Sequence, residues 1–179
     1  ILNQISTFYP LNNSDCEDLF DTCIASFENC ASIVRKKIIE LFLEFVERNG
    51  FERSRLQKVA NSLINSLCSG VLNDECTIDV LHFLHVAANS DCSLSFDNDF
   101  YITLKSILES ARWQIRKWSL NLYTCLILSQ ENLSSDKVER LSFALPSAVD
   151  QRKDLENVLM QFLEDCDSRV RITAADNLV

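Results

Sequence analysis

The chain has 179 residues, 47% of them apolar and 24% charged, a balance that excludes a disordered polymer and is ample for a packed core. Only two glycines and two prolines occur, which excludes an all-β fold with many tight turns and argues against glycine-rich phosphate loops. The net charge is −9, and residues 59–104 carry six acids with no Lys or Arg, so a phosphate backbone would be repelled along that stretch and direct nucleic-acid binding is not expected.

Taken in order, Ile1, Leu2, Ile5 and Phe8 share one helical face that Pro10 closes. Ser14 with Glu17 forms a capping box that opens a helix to about Glu28, with Leu19, Phe20, Cys23, Ile24 and Phe27 inward. A second helix runs from about Ser32 to Asn49 on the stripe Val34, Ile38, Leu41, Phe42 and Phe45, and Gly50 stops it. Leu56, Val59, Ala60, Leu63, Ile64 and Leu67 mark the third helix, ended by Gly70. After Asn73-Asp74-Glu75 comes a helix with Ile78, Leu81, Leu84 and Ala88, on which His82 and His85 stand three residues apart. Ser95 to Asp99 is a polar loop with capping residues, followed by a helix with Phe100, Ile102, Leu104, Ile107 and Leu108. The next helix spans Arg112 to about Ser129 and buries Ile115, Ser119, Leu122, Tyr123 and Leu126. Ser134-Ser135-Asp136 then reads as the cap of a short helix carrying Val138, Leu141, Phe143 and Leu145, broken by Pro146. A helix from about Asp150 carries Leu155, Val158, Leu159, Phe162 and Leu163, and a last one from about Ser168 has Val170, Ala174 and Leu178 on one face. The chain begins at Ile1 and stops at Val179 within a helical pattern, so it reads as an excerpt of a longer protein.

The final segment, Asp165-Cys166-Asp167-Ser168-Arg169-Val170-Arg171 followed by Ala174 and Leu178, is a turn leading into a packing helix, and its pattern recurs. Ile33-Val34-Arg35 leads into Ile38 and Phe42, Gln114-Ile115-Arg116 leads into Ser119 and Tyr123, and a weaker copy at Thr77-Ile78-Asp79 has Asp where the others have Arg. Val34, Ile78, Ile115 and Val170 as equivalents lie 44, 37 and 55 residues apart, near the roughly 35 to 50 of a helical repeat. The order Asp-x-Asp-x-x-Val-Arg-x-x-Ala-x-x-x-Leu resembles the turn and second helix of a HEAT repeat. That resemblance implies an all-α, right-handed α-solenoid of stacked antiparallel helical hairpins, HEAT/armadillo-like, as one continuous segment with approximate repeats 12–50, 51–92, 93–130 and 131–179. It also implies a ladder between neighbouring repeats built from Arg35, Arg116 and Arg171 with Asp165 and Asp167, interrupted at Asp79.

Catalytic constellations are missing from the sequence. No phosphate-binding glycine motif, nucleophile elbow, His-Glu-x-x-His or Cys-x-x-Cys is present, so no enzyme activity, cofactor, metal or small-molecule substrate is expected. The eight cysteines are scattered over helical segments without a secretory signal and are expected as reduced thiols in an intracellular protein, cytoplasmic or nuclear. No apolar run is long enough for a membrane span. Repeat architecture without chemistry points to a scaffold or adaptor that holds protein partners. Resemblance alone allows an alternative, the non-catalytic solenoid arm of a large enzyme such as a phosphoinositide-3-kinase-related kinase, or a transport-receptor-like solenoid. Trp113 lies roughly 200° round its helix from Ile115. With Arg112, Arg116 and Lys117 beside it, it is either a partner contact or a filler between repeats.

Overall fold

Helices of this sequence end where a capping group or a left-handed residue is available, and their buried stripes decide what packs on what. The computed structural model describes residues 13–49, 52–90, 94–137 and 148–178, with side chains for 18–47, 52–90, 94–129 and 151–178. Among these residues the secondary structure is all α, with no strand: α1 (Asn13–Phe27), α2 (Ser32–Asn49), α3 (Arg53–Cys68), α4 (Asp74–Ser90), α5 (Asn98–Leu108), α6 (Trp113–Lys137), α7 (Ala148–Phe162) and α8 (Ser168–Asp176). The chain divides into two compact units, Ile1–Ser90 and Asp91–Val179. No helix among the described residues is long and apolar enough to cross a membrane.

In the first unit α1 packs on α2, α3 on α4, and α2 along α4. Phenylalanines lock three of these helices together. Phe20 of α1 lies 5.6 Å from Phe42 and 4.7 Å edge-on from Phe45, both on α2, and Phe42 lies 6.1 Å from Phe83 of α4, counted between ring centroids. Such pairs contribute about 0.5–1.5 kcal/mol each beyond their burial. Helix α3 buries its expected stripe, Leu56, Val59, Ala60, Leu63, Ile64 and Leu67. It stops because Gly70 adopts φ +68°, a left-handed conformation that costs other residues about 1–2 kcal/mol.

In the second unit α5 packs on α6, α7 on α8, and α6 contacts both α7 and α8. Asp97 caps α5 by accepting from the Phe100 amide at 2.8 Å, and Phe100, Leu104 and Leu108 then recur every four residues into the core. Ile102 lies on the opposite side of that helix and is exposed. Asp167 caps α8 by accepting from the Arg169 amide at 2.9 Å. Val170 and Ala174 behind it are fully buried.

Four expectations are corrected. Val34 is 44% exposed and its counterpart Ile78 is half-buried, whereas Ile115 and Val170 are 4% and 0% exposed: the first turn of α2 is left uncovered. Leu178 leaves the Val170–Ala174 stripe because α8 ends at Asp176, where Asn177 donates to the Thr173 carbonyl and to Asn121 Oδ1 and so closes the helix early. Ser134-Ser135-Asp136 does not begin a helix; α6 runs through it to Lys137. Ile102 is the fourth. The apolar stretch at residues 1–8, Gly50 and Val138 to Leu145 lie outside the described residues.

Ser119 and Ala174 occupy equivalent places, four residues beyond Ile115 and Val170 on the facing helices α6 and α8, and both are fully buried. Ser119 Oγ has no hydrogen-bond partner. Ser119→Ala is therefore expected to raise stability by about 1 kcal/mol, since it removes a desolvated hydroxyl without opening a cavity. Ala174→Leu is expected to lower it by about 1–3 kcal/mol through overpacking. Urea unfolding of both variants checks this, and a destabilised Ser119→Ala would contradict the assignment.

A candidate interface of hairpin turns

The polar groups of this molecule gather where helices end, because the last carbonyls of a helix have no partner within it. Arg116 stands one turn into α6 and folds back over the preceding connection. Its Nη1 donates to the carbonyls of Ser110 (2.8 Å) and Ala111 (3.0 Å). Its other edge reaches the α7–α8 turn: Nε donates to Asp165 Oδ2 at 2.7 Å and Nη2 to Asp165 Oδ1 at 2.8 Å. Both side chains are buried, at 10% and 7% exposure. Asp165 Oδ1 also accepts from the Asp167 amide at 2.7 Å, which holds the turn closed. The hydrogen bonds from Arg116 keep the Asp165 carboxyl below the usual carboxylate range against the opposing effect of burial, and the Asp167 amide assists. This forked geometry is what a planar guanidinium supports and a lysine does not.

A second tie runs beside the first. The Arg169 guanidinium lies flat over Trp113, its central carbon 3.5 Å from the ring centroid. Arg169 is in turn held by Asp167, with Nε donating to Oδ1 at 3.0 Å and Nη2 to Oδ2 at 2.7 Å. That pairing pulls the Asp167 carboxyl down to about 2. Trp113 is thus half-buried with one face covered, as its place off the Ile115 stripe allows. Of its sequence neighbours, Arg112 is exposed, Lys117 is half-buried with Nζ 5.7 Å from the Trp118 ring, and Arg116 spends its N–H groups within the two turns.

The first unit contains a related arrangement with neutral acceptors. Arg35 donates through Nε to the Phe27 carbonyl (2.9 Å), through Nη2 to that of Glu28 (2.6 Å) and through Nη1 to that of Val71 (3.0 Å), in the α3–α4 connection. Cys76 Sγ, 3.6 Å from the Ser32 carbonyl, joins the same two turns. Asp79 holds the position of these arginines on α4. It is half-buried, its Oδ2 lacks a hydrogen-bond partner, and burial pushes its carboxyl up although Lys36 opposes this. Among the described residues Arg171 bonds its own turn, with Nη1 donating to the carbonyls of Asp165 (2.6 Å) and Cys166 (3.3 Å).

One cluster had no sequence signal. Tyr123 of α6 is buried and its hydroxyl donates to Asp154 Oδ2 of α7, which is paired with Lys105 Nζ of α5 at 2.6 Å. Burial and the Asp154 carboxylate raise the phenol well above its ordinary range, so it is a neutral donor at pH 7 and serves to tie three helices together. Its members come from three different helices, and spacing cannot announce such a set. Among the described residues no group of three or more His, Cys, Asp or Glu side chains is placed to hold a metal ion, and six cysteines are free thiols. Burial lowers the His82 imidazole below its usual range, which leaves it neutral near pH 7. Comparison with models of protein families, with curated protein sequences and with solved structures finds no match.

Removing one partner of the Arg116–Asp165 pair strands the other as a buried charge. Asp165→Asn is expected to lower stability by about 3–5 kcal/mol, and Arg116→Met combined with Asp165→Leu to recover most of that loss. Asp165 and Asp167 bind protons less readily folded than unfolded, so their contribution is complete above the ordinary value of 3.8 and declines as pH falls, for Asp167 toward about 2. Urea titrations between about pH 5 and pH 2 should show this decline, and a flatter one in Asp165→Asn.

Proposed function

We propose that the chain is a length of right-handed, HEAT/armadillo-like α-solenoid that works without catalysis by holding protein partners inside the cell. The observation that carries this reading is the recurrence of one device in both units. An arginine one turn into the second helix of a hairpin bonds the carbonyls of its own turn and then the turn of the next hairpin, Arg35 to Val71 and Arg116 to Asp165. Hairpins joined turn to turn in this way place successive second helices side by side, as α2 lies on α4 and α6 on α8. Stacks of that kind offer a long surface, and their known physical use is to present it to another chain.

In this reading the partner meets the exposed ends of the turns. Arg112 is exposed, beside a Trp113 that has one face under Arg169, and Trp and Arg dominate binding hot spots. Nucleic acid is not the partner, given the acidic balance of the chain.

Arg112→Glu with Lys117→Glu tests the assignment, because Arg112 is exposed, Lys117 is half-buried, and the Arg116–Asp165 and Arg169–Asp167 pairs are left in place. The pair is expected to leave the melting temperature within about 1–2 °C of the parent, as surface changes do, and to reduce in-cell cross-linking to the captured protein at least several-fold. Unchanged cross-linking from a fully folded variant would remove this face from the proposal. Trp113→Ala should instead lower stability, through loss of the Arg169 stack.

A further inference from the structure

We draw no further inference here: the strongest candidate, the charged seam where Lys36, Glu40 and Glu47 of α2 bear on Asp79 and His82 of α4, rests on the shifted titration of those last two groups alone, and nothing among the described residues shows what would bind there.

Discussion

The buried fork between Arg116 and Asp165 is the interaction on which the second unit depends. A guanidinium at 10% exposure has lost most of its water, and only a full set of acceptors makes that tolerable. The set here is two carbonyls of the connection between α5 and α6 and one carboxylate from the turn between α7 and α8. The two carbonyls lie where the backbone has run out of helical partners, so the arginine satisfies one connection while pairing with the carboxylate of another. It also fixes register. Moving α8 by one residue against α6 would strand Asp165 and Arg116 together, while lifting Val170 and Ala174 from their buried places.

The first unit shows what changes when the acceptors are neutral. Arg35 bonds three carbonyls and no carboxylate, so its turn-to-turn tie lacks the charge pairing of the second unit. Cohesion there rests more on the Phe20, Phe42, Phe45 and Phe83 cluster, whose ring contacts have no counterpart of that extent around α6 and α8 among the described residues. Asp79, in the arginine's place on α4, is the point where the device stops. An acid half-buried without a partner for one oxygen cannot donate to a neighbouring turn, and its raised carboxyl reflects that burial.

The Asp154 cluster of the second unit is similarly committed to structure. Asp154 binds both Lys105 and Tyr123, and its carboxyl stays below the usual range because those hydrogen bonds outweigh burial. The acids that hold these turns are pulled down and the phenol is pushed up, both away from neutrality. Among the described residues, Ile33 and Ile172 stand exposed on the surface.

The helices were legible because little else was possible. With two glycines and two prolines in 179 residues, the 3.6-residue stripes and the caps at Asp97 and Asp167 leave few other conformations, and the ends at Gly70 and Ser168 follow from local chemistry. The arginines at 35, 116 and 171 could be read too, since a repeated apolar-Arg pair at a helix start needs only the sequence. Their partners could not. Asp165 is 49 residues from Arg116 and Val71 is 36 from Arg35, and many acids and carbonyls compete at such distances. Trp113 was legible as lying off the buried stripe, but Arg169 above it was not. Val34 and Val170 share the Val-Arg step at a helix start and have opposite burial, because a stripe says which face of a helix is apolar and not whether another helix arrives to cover it. Sequence alone thus determined the helices, their faces and the donors at their starts, all set within a few residues; which donor met which acceptor, and which apolar face stayed bare, was decided by packing between segments far apart in the chain.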